Sequence, residues 1–115
     1  MAPYKPQQSS YVESADISTK LIVKTGTLAN GVSVTYDFTS GADRIGDRGA
    51  QFMSLTCSAE TMEVTITNKA GTSDVVPLEQ GGTWSSLTLE DFEIFTIKVE
   101  GTSATPDAAY DLMVY

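Results

Sequence analysis

The chain has 115 residues, with 15 acidic against 7 basic side chains, a formal net charge of −8, 41% hydrophobic residues, no histidine and one cysteine. That length and composition fit one globular domain with a core of its own. The missing histidine removes His-based triads, general bases and metal ligands; the lone Cys57 removes internal disulfides and thiolate clusters; and the acidic balance argues against an electrostatic grip on nucleic acid or on an anionic membrane.

Residues 1 to 14 are polar and contain Pro3 and Pro6, which favour extended chain. They are expected to form an extended N-terminal arm, with residues 15 to 115 as the domain. The segment either frays as a terminus or orders on a neighbouring subunit; Tyr4 and Tyr11 give it side chains that a purely solvated tail does not need, and both are the expected contacts in the second case. The first residues lack the apolar run of a secretory leader, so synthesis in a cytoplasm is expected.

Val32, Val34, Tyr36 and Phe38 alternate with polar residues, the period of a half-buried strand. Asn30-Gly31 just before them favours a type I′ hairpin turn. A two-residue turn there would pair Ala29 with Val32 and Val23 with Phe38. It would also set Leu21 and Val23 on the core face beside Tyr36 and Phe38.

The next stretch, 39 to 50, carries Gly41, Gly46 and Gly49 and reads as a loop. Asp37, Asp43 and Asp47 could offer oxygen ligands to calcium, but the spacing is not that of an EF-hand. Arg44 and Arg48 stand beside the two loop aspartates. The expectation is a loop laced by Asp–Arg pairs, with Asp43, Arg44, Asp47 and Arg48 as a possible contact surface and no metal.

Alternation resumes at Met53, Leu55 and Cys57, and again at Met62, Val64 and Ile66. Asn68 to Gly71 turns the chain into Val75, Val76 and Leu78. Gly81-Gly82 breaks it, and Trp84 follows in a loop, where an indole can stack on a sugar ring, anchor an interface or fold back over the core. Leu87 and Leu89 open another extended piece, then Phe92 to Val99; the last strand is Tyr110 to Tyr115. About eight short strands with frequent turns predict a single antiparallel β-sandwich, of jelly-roll or immunoglobulin-like type. Its core would hold Val23, Val34, Tyr36, Phe38, Leu55, Val64, Ile66, Ile97, Leu112 and Val114. Cys57 falls on the core face beside Leu55 and is read as packing, with no histidine to activate it.

The alternation fails at a few places. Ile22, Phe52, Met113 and Tyr115 fall on faces shared with polar residues. A β-bulge or a strand covered on both faces would account for them; otherwise outward apolar side chains in so small a chain call for a cover, and these four are expected at an oligomer or particle interface. Along 92 to 99 the apolar phase changes between Ile94 and Phe95, which predicts a β-bulge, a strand covered on both faces, or an outer face that meets another subunit. Residues 71 to 115 hold eight acids and one base, Lys98, a solvated face or one complementary to a basic surface.

No nucleophile, phosphate-binding or metal-ligating motif is present, so neither enzymatic activity nor a cofactor is expected. The C-terminal third, Leu87-Thr88-Leu89, Phe92-Glu93-Ile94-Phe95-Thr96-Ile97-Lys98-Val99-Glu100-Gly101-Thr102 and Tyr110-Asp111-Leu112-Met113-Val114-Tyr115, together with the polar Met-Ala-Pro-Tyr start, resembles small all-β virion proteins of tailed bacteriophages. That resemblance implies a structural subunit of a virion, a capsid decoration (cement) protein first, with a head-fibre or tail-associated part as variants. It implies a homo-oligomer, with a trimer as one candidate, that meets other virion proteins such as the capsid. The alternative from the residues themselves is a carbohydrate-binding β-sandwich module built around Trp84.

Overall fold

Seven strands and no helix build the described residues, 20–71 and 73–115, in a computed structural model of the chain. They are β1 (Ile22–Leu28), β2 (Ser33–Asp37), β3 (Ala50–Ala59), β4 (Thr61–Asn68), β5 (Ser73–Glu79), β6 (Ser86–Gly101) and β7 (Ala108–Val114). All the strand pairings are antiparallel. The expected arm, with Tyr4 and Tyr11, lies outside the described residues.

The sixteen-residue β6 organises the molecule. Its first part, Ser86 to Glu90, pairs with β3, whereas Ile94 to Gly101 pairs with β4 on one side and, over Thr96 to Glu100, with β2 on the other. The ladder shifts register against both β3 and β4 around Ile94, and Glu93 takes a positive φ of 52° there. One strand thus serves two half-sheets, β1-β7-β3-β6 and β5-β4-β6-β2, by bending at Glu93. Strands that switch sheets through a bulge make the corners of β-sandwiches. The sequence divides this stretch into two extended pieces; the structure joins them, and the change of apolar phase at Ile94–Phe95 marks the bend.

The inner faces of both halves supply one core. Ile22 and Leu28 of β1, Met53, Leu55 and Cys57 of β3, and Leu112 and Val114 of β7 meet Met62, Val64 and Ile66 of β4 and Ile94, Ile97 and Val99 of β6. Phe38 and Leu78 are also fully enclosed. A single cluster drawn from both half-sheets is what a sandwich of this size can bury.

Two expectations about the first strands are corrected. Asn30-Gly31 does turn the chain: Gly31 has φ +80°, and the Val32 amide donates to the Ala29 carbonyl at 3.0 Å. The flanking strands, however, do not form a hairpin. β1 pairs with β7, setting Val23 against Met113, while β2 pairs with β6, setting Tyr36 against Ile97. Gly101 explains the divergence: its carbonyl accepts from the Gly31 amide and its amide donates to the Val32 carbonyl. The turn is therefore stitched to the end of β6, and its two arms go to opposite half-sheets.

The phase of β1 is also reversed. Ile22, expected outside, is only 5% exposed, whereas Val23, expected in the core, is 62% exposed, and Leu21 faces out with it. Val34, likewise expected inside, lies exposed on β2. A one-residue change of phase moves every side chain of a strand to the other face. The inner face of β1 includes Lys24 and Gly26, which is why the sequence pattern points the wrong way. Gly26 opposes Tyr110 in the ladder, and a Cβ there would lie 3.0 Å from the Tyr110 hydroxyl oxygen and 3.2 Å from its ring. The Tyr110 ring occupies the space a side chain at position 26 would need.

Candidate functional site

Three surface regions contain the residues singled out in the sequence. The first is the outer face of the β1-β7-β3 half. Val23 opposes Met113, and Met113 opposes Ser54 on β3. One step further along, the backbones of Phe52 and Tyr115 exchange hydrogen bonds of 2.9 and 3.1 Å, and their rings stack at 4.8 Å with an interplanar angle of 18°. Leu21, Val23, Met113 and Tyr115 are all exposed, and Phe52 is half-buried beneath the Tyr115 ring. The five side chains form one apolar patch across three strands. Three of the four residues expected there are in it; Ile22 is not, and Leu21 and Val23 take its place. Thr25, Ser54, Thr56, Thr88, Glu90 and Asp111 continue the same face as a polar surround.

The second region is the 38–49 loop. Asp37 starts it: its carboxylate accepts from the Thr39 amide at 2.8 Å and the Thr39 hydroxyl at 2.7 Å, and from the Ser40 hydroxyl at 3.2 Å. The Thr39 amide, then the Thr39 hydroxyl, hold this carboxyl below its ordinary pKa. The Phe38 carbonyl accepts from the Ile45 amide at 2.7 Å, closing the loop. The charged residues pair as follows: Arg44 with Asp47 at 2.5 Å, Asp43 with Lys24 at 3.1 Å, and Arg48 with Glu93 at 2.6 Å. Of the expected Asp–Arg lacing, the Arg44–Asp47 pair forms; the other two contacts instead tie the loop to β1 and to the bend of β6. Among the described residues no group of three or more His, Cys, Asp or Glu side chains is placed to hold a metal ion.

Between this loop and the core, the Tyr36 and Tyr110 hydroxyls share a hydrogen bond of 2.5 Å, and the Lys24 ammonium lies 5.8 Å from the Tyr36 ring centroid. Tyr36 sits on β2 and Tyr110 on β7, so the pair links the two half-sheets. Burial, then the Tyr36 hydrogen bond, drives the Tyr110 phenol well above the usual tyrosine range. Cys57 is buried, and burial raises its thiol pKa. It is therefore a protonated packing residue at neutral pH.

The third region is a groove of about 460 Å³ beside Trp84. Its floor comes from β4 and β5: Thr61 opposes Glu79 and Glu63 opposes Pro77, with the buried Met62 and Leu78 beneath. Thr83, Trp84 and Thr102 complete the lining. The Glu79 amide donates to the Trp84 carbonyl at 2.9 Å, and Gly81, at φ +73°, turns the chain between them. Trp84 does not fold back over the core; it is 59% exposed. The sequence singles out Trp84 but not its companions. The Thr61–Glu79 and Glu63–Pro77 pairings depend on register between strands, which composition does not reveal.

No family model and no curated protein matches the chain. Among solved structures, it is similar to the mitogen of Yersinia pseudotuberculosis, at 14% identity and a TM-score of 0.47, over 85% of this chain and 86% of that one. It is also similar to AlgX of Pseudomonas aeruginosa, at 12% identity and a TM-score of 0.45, over 95% of this chain and 33% of AlgX. Likeness at this level assigns no activity.

Proposed function

We propose that this chain is a non-enzymatic structural subunit that self-assembles through the outer face of its β1-β7-β3 half-sheet. Its proposed setting is the virion of a tailed bacteriophage, reached after synthesis in the host cytoplasm, where it serves as a capsid decoration protein. The observation that carries the reading is the patch of Leu21, Val23, Phe52, Met113 and Tyr115. The phage setting rests on the resemblance of the C-terminal strands, and a capsid surface is the further partner it implies.

A second copy of the chain is the occupant that suits the patch. Full burial of a large apolar side chain contributes roughly 1.5–3 kcal/mol, so five partly covered ones contribute about half of that each. Against association costs of roughly 4–15 kcal/mol, one patch on a polar partner falls short. A second copy brings the same five side chains and doubles the buried apolar area. Isologous or cyclic contacts of this kind close into symmetric oligomers.

The test is a charge pair placed in the patch, Val23→Lys with Met113→Glu, which leaves net charge unchanged and puts opposite charges on opposed residues. The double variant should keep the far-ultraviolet spectrum of the wild type and run as a monomer where the wild type is oligomeric. An oligomer of unchanged mass in the double variant would remove the patch from the interface.

A further inference from the structure

The Trp84 groove lies on β4 and β5, in the half-sheet away from the self-association patch, and the assembly reading makes no use of it. Its lining is chemically specific. One exposed indole forms a wall, three threonines (Thr61, Thr83 and Thr102) line it, and two carboxylates, Glu63 and Glu79, stand on neighbouring strands of its floor. Among the described residues no lysine or arginine lines it.

We infer that this groove binds an uncharged glycan, with one pyranose ring stacked on Trp84 and its hydroxyls donating to Glu63 and Glu79. A pyranose has an apolar face of C–H groups and a rim of hydroxyls, so it needs a flat aromatic surface beside strong acceptors. The indole supplies the surface and the two carboxylates supply charge-assisted acceptors. Their separation suits a ring: diagonal neighbours on adjacent strands stand roughly 7–8 Å apart, about the span between hydroxyls on opposite sides of a sugar. The volume, about 460 Å³, leaves room beyond a single ring for a short oligosaccharide. Uronic-acid and sulfated glycans are excluded by the same two carboxylates, in a chain already at −8. A compact organic cation fits less well. Such ligands are recognised by cages of several rings, and here a single ring borders an open floor.

Trp84 is the only tryptophan in the sequence, so its emission reports on the groove alone. The full chain is titrated with maltotriose, cellotriose and triacetylchitotriose, with trigalacturonate and tetramethylammonium chloride as contrasts. At least one neutral trisaccharide should shift the Trp84 emission saturably, while trigalacturonate does not. By calorimetry, Trp84→Ala should weaken that binding at least tenfold, and Glu63→Gln or Glu79→Gln severalfold; all three side chains are exposed, so the folded spectrum should persist. No emission change and no heat from any of the three trisaccharides up to roughly 20 mM, well past a millimolar dissociation constant, would overturn the inference. So would a saturable response to tetramethylammonium without one to the sugars. The same titration on the Val23→Lys, Met113→Glu chain separates the two claims, because glycan binding should survive the loss of self-association.

Discussion

At Tyr110 a buried phenol closes one side of the sandwich, with its ring over Gly26 and its hydroxyl on Tyr36. Its folded-state pKa lies above that of the unfolded chain, near 10.0. Above about pH 10 the unfolded chain therefore loses a proton that the folded chain keeps, and stability falls as pH rises, by at most about 1.4 kcal/mol per pH unit for this group. Urea melts at pH 7, 9, 10 and 11 on the wild type and Tyr110→Phe test this. The stability difference between the two should narrow above pH 10; parallel curves would contradict it. Glycines supply a second residue-scale test. Gly31 and Gly49 both have positive φ, but a Cβ on Gly31 meets open space and one on Gly49 would lie 2.1 Å from the Ile94 carbonyl oxygen. Gly31→Ala should cost only the left-handed backbone term, roughly 1–2 kcal/mol. Gly49→Ala adds a backbone overlap at the bend of β6, and should cost clearly more, with a lower melting temperature than Gly31→Ala. Equal melting temperatures would show that β6 does not pass Gly49 as described.

At the scale of the elements, the bend of β6 decides what the sequence could and could not disclose. Strands 3, 4 and 7 are legible because one face of each is uniformly apolar: Met53, Leu55 and Cys57; Met62, Val64 and Ile66; Leu112 and Val114. β1 is misread because Lys24 and Gly26 share its inner face with Ile22 and Leu28, while Val23 lies outside. The Asn30-Gly31 turn is legible as local chemistry, but its partner, Gly101, is some seventy residues distant in sequence, so strand pairing is not. The same holds for the surface regions. Phe52, Met113, Tyr115 and Trp84 stand out as exceptions to pattern, whereas Leu21 and Val23 look like core until the ladder to β7 is known. The topology makes its own prediction. The Thr96–Glu100 part of β6 is paired on both sides, by β4 and β2, and β5 is an outer strand of its half. Hydrogen exchange followed by mass spectrometry should find amides of 96–100 among the slowest and those of 74–79 exchanging earlier by local opening. The reverse order would contradict the arrangement.

For the whole molecule, shape and charge act in opposite directions on assembly. In the proposed assembly the apolar patch would draw copies together, while a formal charge of −8 on each chain would push them apart. Salt screens the repulsion within about 10 Å at 0.1 M and leaves the apolar contact in place. Self-association should therefore strengthen with ionic strength, the opposite of an assembly held by ion pairs. Sedimentation velocity of the full chain, from low to high micromolar concentration at two salt levels, tests this most directly. The account predicts a discrete oligomer that forms at lower concentration in the higher salt and is lost in the Val23→Lys, Met113→Glu chain. A monomer throughout, or an oligomer that dissociates as salt rises, would contradict it.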